Sequence, residues 1–202
     1  MDIAQNILLT IMTAATPLLI AAIGELVVER SGVLNLGVEG MMVIGAVCGF
    51  AATLLTGSPW IGMLAAVAAG AFFSLLFGVL TLSLAANQVA TGLSLTLLGL
   101  GLSGMIGESF VGSAGIKLAS LDIPVLSEIP LVGRLVFAQD PIFYISLILT
   151  GGVAWFLFRT RAGLTLRAIG DNHASAHALG INVLKIRYLA VMFGGACAGL
   201  AG

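Results

Sequence analysis

No charged residue occurs between Glu39 and Glu108, and this uncharged run limits the fold more than any other feature. About 20 apolar residues cross the roughly 30 Å hydrocarbon core of a bilayer, so the run has room for about three membrane helices. A turn signal at residues 57–59 (Gly-Ser-Pro) and an amide pair at residues 87–88 divide it. The predicted spans are residues 40–56, 60–86 and 89–107.

The composition excludes most soluble functions. The 202 residues are 59% hydrophobic and 8% charged, with a formal net charge of -1, which is too little polar surface for a soluble globule. No basic patch with interleaved aromatic residues suggests nucleic-acid binding. Cys48 and Cys197 lie in apolar segments and form neither a disulfide framework nor a CxxC pattern. The fold class is therefore an all-α, polytopic transmembrane helical bundle.

Charged residues also delimit the remaining spans. Residues 3–24 and 141–158 are apolar runs of membrane-spanning length, and residues 108–140 are mixed and acidic, as expected of an outer loop with a short interfacial helix. Residues 188–202 reach only about 22 Å as a helix. We therefore expect about six spans, the last of them truncated, with residues 1–202 forming a single transmembrane domain that is the N-terminal part of a longer protein.

The segment 159–187 orients the chain. It carries five of the eight basic residues and one acid, Asp171, and a short basic loop between membrane spans marks the cytoplasmic side. Asp171 or Asn172 can cap a short helix that ends near Gly180. An exposed helix between two spans offers a docking surface for another protein. Counting spans back from it places residues 29–39 and 87–88 near the cytoplasmic side and the N-terminus outside.

The segment 29–42 interrupts an otherwise apolar helical hairpin. It contains charged and amide residues, among them Asn35 and Glu39, together with Gly32, Gly37 and Gly40. Polar groups and irregular backbone at membrane depth are tolerated where they line a cavity or a substrate path. The alternative is an ordinary cytoplasmic turn in which Arg30 pairs with a neighbouring glutamate. The sequence alone leaves both interpretations open.

Asn87, Gln88, Thr91 and Ser94 are predicted to place hydrogen-bonding groups on one face of the span that ends at residue 107. Amides and hydroxyls both donate and accept, which suits a neutral polyhydroxylated or heterocyclic solute. The competing interpretation is that serine and threonine hydroxyls bond back to their own helix. Asn35, Glu39, Asn87, Gln88 and Thr91 are the predicted substrate-pathway residues.

Two further patterns have ordinary explanations. Small residues recur at helix-packing spacing, which favours close packing within one bundle over a dedicated dimer face; they are Gly45, Gly49, Ala66, Gly70, Ser74, Gly78, Gly195 and Gly199. His173 and His177 lie four residues apart and could hold a metal, but in a polar loop we favour solvated side chains and predict no metal site. No motif of an enzyme active site or of an ATP-binding loop is present.

Three motifs together resemble the permease subunits of bacterial ABC importers for simple sugars, nucleosides and branched-chain amino acids. They are ERSGVLNLGVEGMMVIGA (29–46), ANQVATGLSLTLLGLGLSG (86–104) and LRAIGDNHASAHALGINVLKIR (166–187). The first two are most similar to the nucleoside branch. Sugar permeases usually carry Asp where this chain has Asn35, and the amino-acid branch shows His-Gly-Glu where this chain has Gly-Val-Glu at 37–39.

The resemblance implies a non-enzymatic permease in the bacterial inner membrane that moves a small polar solute inward. It favours a nucleoside as the solute, with a simple sugar as the second candidate. It implies that residues 174–180 form the coupling helix, with Asp171, Ala174, Ala176, His177 and Gly180 facing the ATPase subunit. Expected partners are that ATPase, a second permease subunit (identical or similar), an extracytoplasmic substrate-binding protein and membrane lipid. No cofactor is expected, since ATP would bind the partner.

Two other classes remain as alternatives. In an ion- or proton-coupled secondary transporter, Glu25, Glu29 and Glu39 would titrate during transport. Such a carrier has no need of an exposed helix at residues 171–180. A membrane scaffold without transport activity would leave the polar break at residues 29–39 unexplained.

Overall fold

The computed structural model describes residues 3–115 and 139–202, and the regular elements in these ranges are helical. The α-helices are α1 (Ile3–Arg30), α2 (Val38–Thr56), α3 (Pro59–Gly78), α4 (Gln88–Gly107), α5 (Pro141–Arg159), α6 (Arg161–Asp171), α7 (His173–Ala178) and α8 (Val183–Ala201). A π-helical turn, Val79–Ser83, extends α3, and a 3₁₀ turn, Glu108–Phe110, follows α4. Six of these helices are long and apolar enough to cross a membrane, so the protein is a multi-pass membrane protein.

Two predicted span ends are wrong. The first helix does not stop at Gly24 but continues to Arg30, and the last begins at Val183 rather than after Arg187. Nineteen residues of α8 reach about 28 Å, close to the thickness of the hydrocarbon core. Glu25 and Arg187 lie inside these helices, where each side chain bonds the backbone of the segment between α1 and α2.

The predicted turns between α2 and α3 and before α4 are confirmed. Gly57 ends α2 in a left-handed conformation (φ 71°), and Pro59 occupies the first turn of α3. At the start of α4 the Oδ1 atom of Asn87 accepts a hydrogen bond from Ala90 N–H. Turn chemistry and helix caps thus set these boundaries.

Helix α8 lies at the centre of the bundle and packs against α1, α2 and α3. The contacts are made by the small residues: a Cβ built on Gly45 or on Gly70 would collide with the backbone of Gly199 or Gly195. A Cβ built on Gly78 would lie 2.8 Å from the ring of Tyr188. The small-residue pattern therefore serves packing within the bundle, as the favoured interpretation held.

Three segments meet at one end of the bundle, which we call the basic end: residues 30–37, 79–88 and 159–187. Their proximity is shown by the hydrogen bond of Leu34 to Gln88 and by the close approach of Gly170 to Gly32. The relative placement predicted by counting spans is confirmed. The predicted outer loop at 108–140 lies for the most part outside the described residues, and Cys48 and Cys197 are free thiols.

Candidate functional site

The chain reverses direction immediately after α1. Gly32 N–H donates to the Glu29 carbonyl (2.9 Å) and Val33 N–H to the Val28 carbonyl (3.4 Å), with Gly32 at φ 78°. This is the Schellman arrangement, which ends a helix with a left-handed glycine and an apolar contact. Val28 and Val33 are both buried in the same apolar cluster, so the turn is fixed to the core.

Residues 33–35 then run back along α1 towards the interior. The backbone N–H of Asn35 donates to Oε1 of Glu25 (3.0 Å), and Glu25 lies about 7 Å above the end of α1 at Arg30. We call the non-helical residues 31–37 the break. Within the described residues Arg30 forms no ion pair with Glu25 or Glu29, so the pairing required by the simple-turn alternative is not found.

The predicted residues Asn35 and Glu39 lie in different environments. Asn35 is 2% exposed, and its Oδ1 accepts from Gly37 N–H (2.9 Å) while its Nδ2 faces Met41 Sδ (3.5 Å). It therefore holds the break together from within. Glu39 is exposed in the first turn of α2.

Helix α4 covers the break through glycines. A Cβ built on Gly92 would lie 2.9 Å from the backbone nitrogens of Leu36 and Gly37, and one on Gly99 would lie 2.7 Å from the Gly40 carbonyl oxygen. Thr96 adds a hydrogen bond from its Oγ1 to the Leu36 carbonyl (3.3 Å). Backbone therefore lies against backbone along this interface, as it does where small residues allow membrane helices to approach.

Asn87, Thr91 and Ser94 line one side of a groove of about 360 Å³. The opposite wall is formed by Leu76 of α3 and Leu80 of its π-helical extension. The remaining lining residues are apolar and lie beside the polar ones on α4 or just before it: Ala86, Ala90, Leu95 and Leu98. Gln88 is not part of this face, because consecutive helical residues point about 100° apart; it faces the break instead. The prediction of a single face is correct for Asn87, Thr91 and Ser94 and wrong for Gln88.

Within the described residues, the hydroxyls of Thr91 and Ser94 do not bond their own helix, unlike several threonine hydroxyls in the other spans. Thr53, Thr81 and Thr150, for example, donate to carbonyls one turn back along their own helices. Thr91 and Ser94 have no such bond to any described residue. Together with Nδ2 of Asn87, these groups present unused hydrogen-bonding capacity to the groove. The interpretation in which these two hydroxyls merely bond back to their helix is therefore not supported.

The predicted short helix in segment 159–187 is α7, and Asn172 is its cap: Oδ1 of Asn172 accepts from Ser175 N–H (3.0 Å). At the other end Gly180 adopts φ 79°, with Gly180 N–H bonded to His177 O (2.9 Å) and Ile181 N–H to Ala176 O (3.2 Å). This is a second Schellman arrangement. Asp171 is the last residue of α6 rather than the cap.

The predicted coupling residues in and beside α7 differ in their exposure. Asp171, Ala174, His177 and Gly180 are exposed, whereas Ala176 is 3% exposed and anchors the helix to the rest of the chain. Leu179, which was not predicted, is 80% exposed beside the helix end. An exposed leucine on a short, doubly capped helix is an apolar contact available to another protein.

Two other features of the site were missed in the sequence. Helix α6 is amphipathic and buries Gly163, Leu166 and Ile169, a three-residue spacing that could have revealed it. Arg187 donates from Nε to the Ser31 carbonyl (3.0 Å). Its position one turn before the buried Ala190 and Val191 was a signal that Arg187 lies on the inner face of α8.

Comparison with known proteins decides the family. The sequence profile described as branched-chain amino acid transport system / permease component matches residues 7–202. The chain belongs to this permease family. The relatives include a protein of Haloferax volcanii, named provisionally as a glucose ABC transporter permease, which is 41% identical over all of this chain and 63% of its own length.

Two further relatives are named for nucleosides. The guanosine ABC transporter permease of Bacillus subtilis is 37% identical over all of this chain and 68% of its own length, and the nucleoside ABC transporter permease of Lactococcus lactis is 34% identical over 98% and 66%. The chain thus spans about two thirds of the length of these relatives. No solved structure matches it significantly. The relatives give no support to an ion- or proton-coupled carrier.

Proposed function

We propose that the full-length permease is the membrane subunit of an ABC importer that moves nucleosides inward. The observation that carries this proposal is the hydroxyl and amide stripe of Asn87, Thr91 and Ser94 facing a leucine wall. Such a groove offers hydrogen bonds to the ribose and base edges and an apolar surface to the flat base. Its volume of about 360 Å³ is at the lower end of the range for small-molecule sites.

The similarity to permeases named for guanosine and nucleosides supports this solute class. The relative named for glucose makes a simple sugar the second candidate, because glucose shares the polyhydroxylated ring with the ribose of a nucleoside. The amide of Asn87 and the two hydroxyls serve either ring. The apolar wall of the groove favours the nucleoside, whose base has two apolar faces.

Energy would come from a partner. The exposed surface of α7, with Ala174, His177, Leu179 and Gly180, is proposed to dock on an ATP-binding subunit, and this chain would bind neither ATP nor any other cofactor. The cap at each end makes α7 a rigid unit, which suits the transmission of a push. A second permease subunit and an extracytoplasmic substrate-binding protein would complete the importer.

Uptake of a labelled nucleoside tests the proposal. Cells carrying the full-length gene and its neighbouring transport genes are compared with cells lacking only the ATPase gene. Glucose, ribose and branched-chain amino acids serve as competitors. Nucleoside uptake that requires the ATPase supports the proposal. ATPase-dependent uptake of labelled glucose with no uptake of the nucleoside would transfer the proposal to the sugar, and nucleoside uptake without the ATPase would contradict the ABC mechanism.

A further inference from the structure

The segment 159–187 contacts the break at two points, one on each side of α7. Before α7, Gly170 packs backbone to backbone against the turn after α1: a Cβ built on Gly170 would lie 3.2 Å from Gly32 N and closer still to the Arg30 carbonyl oxygen. After α7, Arg187 donates its Nε–H to the Ser31 carbonyl. Both contacts therefore fall on residues 30–32.

Arg187 also fills the space beside this turn. A Cβ built on Gly32 would lie 2.9 Å from Nη2 of Arg187 and 3.2 Å from Cα of Gly170. Gly32, although exposed, is thus contacted by both ends of the segment that carries α7. Because Gly32 occupies the left-handed region, an L-residue there would be strained as well as crowded.

Helix α7 is otherwise separated from α3 and α4 at this end. A groove of about 730 Å³ lies between His173 and His177 on one side and Thr81 and Gln88 on the other. A displacement of α7 therefore does not press directly on these helices. It reaches the rest of the bundle through the buried Ala176 and through the chain on either side of α7, where Gly170 and Arg187 contact the turn.

Residues 31 and 32 of this turn are the first two residues of the break. Two residues after Gly32, Leu34 N–H bonds Gln88 at the start of α4, and Asn35 N–H bonds Glu25 in α1. We infer that Gly170 and Arg187 form a two-point clamp on residues 30–32, through which movement of α7 shifts the break and the adjoining end of α4. Arg187 is in this sense a positioning residue for transport. The inference rests on the proposed function.

Replacing Arg187 tests the clamp in the assembled, full-length complex. Arg187→Met removes both the cation and the Nε–H donor but keeps an unbranched side chain, whereas Arg187→Lys keeps a charged donor on a chain long enough for the Ser31 carbonyl. The solute transported per ATP hydrolysed should fall about tenfold in Arg187→Met, the effect of losing one hydrogen bond from a charged group, and should largely recover in Arg187→Lys. Lys185→Met removes a cation at an exposed neighbour, so it is the matched control and should leave the ratio unchanged.

Amide hydrogen exchange distinguishes transmission of movement from a purely structural role of Arg187, because only transmission makes exchange in the break depend on nucleotide. In the wild-type complex, exchange in residues 31–37 should change on addition of a non-hydrolysable ATP analogue. This nucleotide-dependent change should disappear in Arg187→Met and persist in Arg187→Lys and Lys185→Met. A wild-type complex without the change, or an Arg187→Met complex with both the change and normal coupling, would overturn the clamp.

A second variant keeps the test available if the Arg187→Met complex does not assemble. Gly170→Ala keeps every side chain but places a methyl group against the Arg30 carbonyl, so it should also uncouple hydrolysis from transport. Gly163→Ala places a methyl group against the Phe156 carbonyl, away from the turn, and is its control. A normal ratio in Gly170→Ala contradicts the clamp. Absence of ATP-dependent uptake in the wild type refutes the proposed function itself, and a transporting wild type with unaffected clamp variants refutes the clamp alone.

Discussion

The backbone N–H of Leu34 donates a 2.8 Å hydrogen bond to Oε1 of Gln88, 54 residues away along the chain. Replacing Gln88 by Met keeps the length of the side chain and removes the acceptor. Since Leu34 is partly exposed, water compensates in part, and we expect a loss of about 1 kcal/mol in the free energy of unfolding. Thermal unfolding of the purified permease in detergent measures it. Gln88→Glu, which keeps the acceptor, should unfold near the wild-type temperature; equal destabilisation by both variants would contradict the role of this bond.

Helix α4 offers glycines with opposite environments. Gly99→Ala would force a methyl group to within 2.7 Å of the Gly40 carbonyl oxygen and should cost about 1–3 kcal/mol through overpacking. Gly101→Ala, two residues further along, meets nothing within 4 Å and should be neutral or stabilise the helix by up to about 1 kcal/mol. Unfolding temperatures of the two purified variants compare them directly. Equal temperatures would show that α2 and α4 do not pack as described.

The groove hydroxyls should affect solute affinity and leave stability unchanged. Thr91→Val and Ser94→Ala each remove a hydroxyl that has no partner among the described residues, so no protein hydrogen bond is lost. We expect each to raise the KM for nucleoside uptake about fivefold, the effect of one hydrogen bond to the solute. Ser103→Ala, in the same helix, removes a hydroxyl bonded to the Leu100 carbonyl and is the control for uptake. Wild-type KM values in both groove variants would remove this groove from the solute pathway.

The end of α7 can be tested at Gly180. A side chain at φ 79° costs about 1–2 kcal/mol, and the bulk of Gly180→Arg would also obstruct a docking partner. This variant should insert into the membrane but lose ATPase co-purification and uptake. Asn tolerates the left-handed region better than most residues, so Gly180→Asn should retain much of both. Normal co-purification and transport in Gly180→Arg would disprove the assignment of α7 as the coupling helix.

The sequence predicted those features of the fold that local patterns determine. Uncharged runs located the spans, and the Asn172 cap and Gly180 located α7. The sequence did not reveal where a charged side chain inside a helix bonds the backbone of another segment. Glu25 of α1 accepts from Asn35 N–H in the break, and Arg187 of α8 donates to a carbonyl 156 residues away. From the sequence, Glu25 is expected to end the first span and Arg187 to precede the last one. The backbone groups that these two side chains bond could not be identified without the fold.

The candidate site shows the same limit. Helical spacing was enough to place Asn87, Thr91 and Ser94 on one face, and the 100° step per residue could already have excluded Gln88 from it. Which hydroxyls bond back to their helix depends on rotamers and neighbours, and local sequence does not fix these. The contacts of Gly92 with the break and of Gly99 with Gly40 of α2 likewise arise only when α2 and α4 come together.

The glycine contacts of α8 have a mechanical consequence. Where Gly45, Gly70, Gly195 and Gly199 meet backbone to backbone, no side chain is available to rotate and absorb a shift between helices. Helices α2, α3 and α8 are thereby joined into a stiff unit. Helix α4 is attached to this unit in the same way, because Gly92 and Gly99 meet the backbone of residues 36–40. The groove of Asn87, Thr91 and Ser94 thus lies between two helices, α3 and α4, that are both held backbone to backbone, so side-chain rotation alone does not change its width.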